Sequence, residues 1–156
     1  MIKSTDVIIV GGGIIGSLIA YYLHEYGIRS TILERDGIGS QASGGAAGLF
    51  NPIMPSGTPE FFTRFAIESH KLHAQLAEAL VNETGVNYHY GPISVVRLAF
   101  SDSEIQEQID EYERLKLLSL NPQLLNGTDL LNYREWLSSE AKSLLITDYE
   151  AQVEPY

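Results

Sequence analysis

Val7-Ile8-Ile9-Val10 is an unbroken run of β-branched residues, the pattern of a strand covered on both faces of a parallel sheet. Ile14 to Tyr26 then reads as a helix, and Gly27 is placed to close it as a C-cap. Ser30-Thr31-Ile32-Leu33 supplies a second β-rich run that ends at Glu34. Strand, helix and strand therefore fit between Val7 and Glu34, the span of one compact βαβ unit.

The pattern changes after this. Gly37 to Gly48 is built from glycine, serine and alanine with few large side chains, so it cannot pack a core and must be a loop or a surface for close approach. Thr58-Pro59-Glu60 opens the next helix, with Thr58 expected as N-cap and Pro59 in the first helical position. Phe61, Phe65, Leu72, Leu76 and Leu80 predict its apolar face, and Gly85 its end. Tyr88 to Tyr90 and Ile93 to Leu98 predict a pair of strands joined by a Gly91-Pro92 turn. Ser101-Asp102-Ser103-Glu104 is a capping box, opening a helix that runs toward Leu120 with Ile105, Ile109, Tyr112 and Leu115 on one side until Asn121-Pro122 stops it. Beyond Gln123 the pattern is weaker, and it predicts a short helix after Thr128 and a strand around Leu144 to Thr147.

These elements predict an α/β fold: a Rossmann-like nucleotide-binding βαβ unit followed by part of an α+β domain. The expected division is 1–58 for the nucleotide-binding part and 59–156 for the second. Two parallel strands cannot complete a mononucleotide-binding sheet, so the expectation is a sheet left unfinished within the 156 residues and a truncated chain.

Composition narrows the chemistry. A formal charge of -10 repels phosphate backbones, which makes nucleic acid an unexpected partner. The absence of cysteine removes disulfides, thiolate nucleophiles and cysteine metal sites. The first residues show no basic n-region or cleavage signal, and the apolar stretch from Val7 to Ala20 is interrupted by glycines and is too short for a transmembrane segment, so a cytoplasmic protein is expected. His70 and His73 have no evident third ligand, so no metal site is expected and the pair reads as a solvated helix face. Arg97 reads first as an outward-facing surface arginine, with a contact to a substrate carboxylate as the alternative.

Gly11-Gly12-Gly13-Ile14-Ile15-Gly16 matches Gly-x-Gly-x-x-Gly directly after a strand and at the opening of a helix, the context that gives this pattern meaning. Gly11 permits the tight turn, Gly13 lets the backbone approach a pyrophosphate, and Gly16 allows helix and strand to pack closely. The N–H groups of Ile14, Ile15 and Gly16, at the positive end of the helix, then face the negative phosphates. Glu34, at the end of the second strand, is placed to accept hydrogen bonds from an adenosine ribose and would repel a 2′-phosphate. The residues alone thus favour FAD or NAD over NADP.

The segment that follows separates these two. Glu34-Arg35, then Ser40, Ala42-Ser43-Gly44 and Ala47-Gly48-Leu49, resemble the D-amino-acid oxidase superfamily of FAD-dependent oxidoreductases, which includes glycine oxidase, sarcosine oxidase and D-amino acid dehydrogenase. Gln152-Val153-Glu154-Pro155 is similar to a further motif of that family, so the resemblance extends through the chain. It implies FAD as cofactor, with the Ser40 to Leu49 segment passing alongside the flavin and its pyrophosphate. It also implies oxidation of an amine or amino acid of glycine, sarcosine or D-amino acid type by hydride transfer to flavin N5, with O2 or a quinone as electron acceptor. In this family the residues that hold the substrate carboxylate lie largely downstream of Tyr156, so the resemblance assigns no catalytic residue here and implies that this chain alone is inactive. Two other readings stand beside this one: an NAD-dependent dehydrogenase, which the long small-residue loop contradicts, and a non-catalytic flavin- or nucleotide-binding module.

Overall fold

The computed structural model describes residues 4–155. β1 (Val7–Val10), α1 (Ile14–Glu25) and β2 (Ser30–Leu33) form the predicted βαβ unit, with β1 and β2 parallel and in register from Val7↔Ser30 to Val10↔Leu33. Gly27 turns the chain out of α1 at φ +71°, a conformation open to glycine without strain. α1 covers one face of the two strands and buries Ile9. Within these residues one face of β1 is covered, while Ile8 and Val10 point the other way and are 61% and 85% exposed. One helix can cover only one face of a sheet whose side chains alternate.

The chain divides into two compact units, one through Gly48 and the other Leu49–Glu154. The second is built around β6 (Ser143–Gln152). β6 pairs antiparallel with β3 (Leu49–Phe50), β4 (Gly91–Ala99) and β5 (Gln123–Asn126). α2 (Glu60–Thr84), α3 (Asp102–Leu117) and a 3₁₀ helix (Gly127–Tyr133) complete it. Leu145, on one face of β6, packs with Ile53, Ile67, Leu115 and Leu120. Leu144 and Ile146, on the opposite face, pack with Leu130 and Leu137. Burial on both sides explains why Leu144-Leu145-Ile146 shows no alternation of apolar and polar positions.

Several expectations are corrected here. Gly91-Pro92 is not a turn between strands but the start of a continuous β4, and Tyr88 to Tyr90 lies outside any strand. Proline is tolerated there because, among the described residues, β4 pairs only with β6 and lies at the edge of the sheet. α2 begins at Glu60 with Pro59, not Thr58, at the cap position. α2 buries Thr63, Ile67, Leu76 and Ala77, whereas Phe61, Phe65 and Leu72 are exposed. Residues two apart are separated by roughly 200° around a helix, so Thr63 and Ile67 lie on the far side from Phe61 and Phe65. α3 ends at Leu117, short of Leu120, while its capping box is fully formed around Ser101 and Glu104. β5 carries no turn signal that marked it in advance, and β6 extends well beyond the predicted four residues.

Candidate functional site: a nucleotide cradle at the first strand-helix turn

The glycine motif closes a tight loop between β1 and α1. Gly11 adopts φ +106°, and a Cβ there would meet open space, so that side of the loop is accessible. The Gly11 N–H donates to the Leu33 carbonyl at 2.9 Å, which binds the loop to the end of β2. Gly16 is buried, and a Cβ on it would run into the carbonyl oxygen of Gly11 and approach Ile9 Cγ2 at 3.3 Å. This is the close helix-to-strand packing expected of the third glycine. The first turn of α1 carries no acidic residue, and Ile14 and Ile15 are exposed, so nothing negative competes for the positive end of the helix.

Glu34 stands at the mouth of this loop. Its carboxylate accepts the Gly12 N–H at 2.7 Å and the Asp36 N–H at 2.8 Å. These amides, Asp36 first and Gly12 second, lower its pKa, so the group is anionic at neutral pH. Each carboxylate oxygen keeps further acceptor capacity for a pair of ribose hydroxyls. Arg35 is directed to solvent and pairs with Asp36 at 3.2 Å.

The small-residue segment folds back over the loop. Gly39 N–H donates to the Gly12 carbonyl at 2.9 Å, and Ser40 Oγ accepts the Gly37 N–H at 3.2 Å. Ser43 Oγ accepts the Ile14 N–H at 2.9 Å, and a Cβ on Gly13 would stand 3.0 Å from that oxygen. Ala42, Ser43 and Gly44 lie in a run of turns, whereas Ala47 and Gly48 are irregular, with Gly48 at φ +73°. Thus Gly11, Gly13, Ile14, Ile15, Gly16, Glu34, Ser40 and Ser43 come together, with Arg35, Ala42, Gly44, Ala47 and Gly48 in the same unit. Leu49 belongs to β3 of the second unit.

Gly12 was not singled out from the sequence. It is nevertheless buried, and a Cβ there would collide with the Ile38 side chain and lie 3.2 Å from Glu34 Cβ. A glycine at the free position of the motif was the available signal.

These observations fit a dinucleotide: an exposed helix N-terminus whose first turn carries no acidic residue, a backbone open at Gly11, and an ionised acid at the end of β2. Residues 6–156 match the family described as "DAO: FAD dependent oxidoreductase". The chain belongs to that family. Membership decides between the two cofactors left open by the residues: FAD, not NAD.

The chain is 26% identical to the glycine oxidase of Bacillus subtilis (strain 168) over its full length, spanning 41% of that protein. It is 34% identical to the glycine oxidase of Bacillus licheniformis over 104 residues, which are 67% of this chain and 28% of that one. The crystal structure of glycine oxidase from Geobacillus kaustophilus superposes with a TM-score of 0.85 at 27% identity, over 97% of this chain and 41% of that one. The chain therefore spans about two-fifths of the length of these DAO-family relatives.

The second unit holds a different cluster. Phe50 packs on His73 with ring centroids 4.5 Å apart, and His70 lies 5.8 Å from Tyr149. Burial lowers the pKa of both histidines, which favours neutral imidazoles. They are thus part of an aromatic cluster and not the solvated face expected from the sequence. Among the described residues no three ligating side chains gather, and no helix is long and apolar enough to cross a membrane. Arg97 is corrected as well: it pairs with the half-buried Glu111 at 3.4 Å, and Glu111 in turn holds Arg114 at 2.7 Å.

Proposed function

We propose that this chain supplies the FAD-binding end of an amine-oxidising flavoenzyme acting on a small amine or amino acid of the glycine, sarcosine or D-amino acid type. The observation that carries the reading is the cradle itself, in a chain whose full-length alignment is to a glycine oxidase.

The N-terminus of α1, with the Gly11–Gly13 backbone, holds the pyrophosphate. Ile15 and Gly16 contribute their backbone N–H groups, the Ile14 N–H being held by Ser43, and Glu34, as its anion, accepts the ribose hydroxyls. Arg35 lies beside the adenosine end. Ser40, Ala42, Ser43, Gly44, Ala47 and Gly48 form the wall along the flavin. When bound, FAD supplies the acceptor for the hydride leaving the substrate carbon, and the imine left behind hydrolyses to an oxo acid. The cradle's contribution is orientation, because a cofactor held at both its pyrophosphate and its ribose presents its ring in one pose. O2 or a quinone then takes the electrons.

The test is product analysis with the full-length protein, incubated in turn with glycine, sarcosine and D-amino acids. Formation of the matching oxo acid, with ammonia or methylamine released, supports the reading. Retention of FAD with neither oxo acid nor formaldehyde from any of these substrates overturns the substrate class. Hydrogen peroxide in the aerobic reaction assigns O2 as acceptor, and its absence with turnover on an added quinone assigns the quinone.

A further inference from the structure

α1 has an unusual N-terminus. Its cap position is Gly13, which offers no side chain, and its first amide, the Ile14 N–H, has no acceptor within the helix. The missing oxygen comes from Ser43, 29 residues further along, whose hydroxyl accepts the Ile14 N–H at 2.9 Å. The two residues are matched, because a Cβ on Gly13 would stand 3.0 Å from Ser43 Oγ, tighter than most real contacts. The glycine that keeps the loop open to a phosphate therefore also admits the serine.

Ser43 sits in a segment tied at its start by Gly39 N–H to the Gly12 carbonyl and by Gln41 to Asp36. Gly45 N–H closes on Gln41 and Ala46 N–H on Ser43, bonds internal to the segment, and Ala42, Gly45, Ala46 and Ala47 are exposed. The Ser43 hydroxyl is the link by which the segment's middle is fastened to α1.

We propose that Ser43 is a positioning residue that assembles the cradle before cofactor arrives: by capping α1 from a distance, it holds the 40–48 segment in the form competent to receive FAD. The proposal rests on the FAD assignment and not on the amine chemistry. Its consequence is kinetic. A residue that raises the competent fraction of the free protein acts on association, because apparent affinity scales with that fraction. A residue that only touches bound cofactor acts on dissociation.

The experiment uses the full-length protein stripped of flavin, as wild type, Ser43→Ala and Ser43→Thr. Hydrogen exchange of the peptide containing Ile14 is read without cofactor, and FAD association and dissociation are read by quenching of flavin fluorescence. With Ser43→Ala, exchange at Ile14 should rise about fivefold, the equivalent of losing a typical N-cap, and FAD association should slow by a similar factor with dissociation unchanged. Ser43→Thr, which keeps the hydroxyl, should restore both.

Unchanged exchange at Ile14 in Ser43→Ala would overturn the proposal. So would faster dissociation with unaltered association, which would make Ser43 a contact to the bound cofactor alone. A wild-type protein that takes up no FAD while Ile14 still responds to Ser43→Ala would overturn the cofactor assignment and leave the cap standing.

Discussion

Gly16→Ala isolates the role of the third glycine. A methyl group there would lie well inside 3.0 Å of the Gly11 carbonyl oxygen, and would also stand 3.2 Å from Gly11 C and 3.3 Å from Ile9 Cγ2. Two of these three atoms are backbone, so relief requires α1 to move off β1 by more than about 1 Å to reach ordinary contact distances. Overpacking of this kind costs about 1–3 kcal/mol, and rigid neighbours place Gly16 at the upper end. Alanine returns up to ~1 kcal/mol in helix propensity. The net loss is about 2 kcal/mol, and if it falls on the loop that receives the pyrophosphate, FAD binding weakens about 30-fold. Thermal unfolding of the full-length apoprotein and fluorescence titration with FAD measure the two effects. Gly91→Ala is the control, since a Cβ there would meet nothing within 4 Å. A Gly16→Ala protein that melts at or above wild type and binds FAD equally well would refute the packing argument.

Glu34→Gln should weaken FAD binding at neutral pH and flatten the acid dependence of stability. The folded-state pKa of Glu34 is lowered by the Asp36 and Gly12 amides. Its stabilising effect is therefore complete above the unfolded value of about 4.3 and is lost as pH falls through the lowered folded value. Thermal stability of the wild type should show this acid limb, and that of Glu34→Gln should lack it. Arg114→Ala removes the donor to the Met54 carbonyl at 2.8 Å and leaves Glu111, whose side chain is only 13% exposed, with Arg97 at 3.4 Å as its remaining partner. A loss of about 2 kcal/mol is expected in urea unfolding, and Arg114→Lys should recover part of it.

The parts legible from sequence are those whose physics is local. The βαβ unit was readable because Val7–Val10, the glycine turn and Ser30–Leu33 each carry their own signal within a few residues. The capping box at Ser101 was readable for the same reason. What could not be read depends on partners far along the chain. Whether Phe61 or Ile67 faces inward on α2 is decided by where Leu115 and Leu145 lie, not by the spacing on the helix. Gly91-Pro92 looks like a turn until β6 is available to pair with it. His70 and His73 look solvated until Phe50, twenty or more residues earlier, packs on them. In the cradle, the motif glycines and Glu34 were visible from spacing, whereas the Ser43 hydrogen bond to Ile14 is a tertiary contact that spacing cannot show.

The most direct test of the proposed function is the visible absorption spectrum of the purified full-length protein, recorded anaerobically before and after addition of glycine, sarcosine and D-amino acids. A flavin spectrum that bleaches with one of these amines is the predicted result. A flavin spectrum unchanged by all of them would contradict the amine-oxidising function.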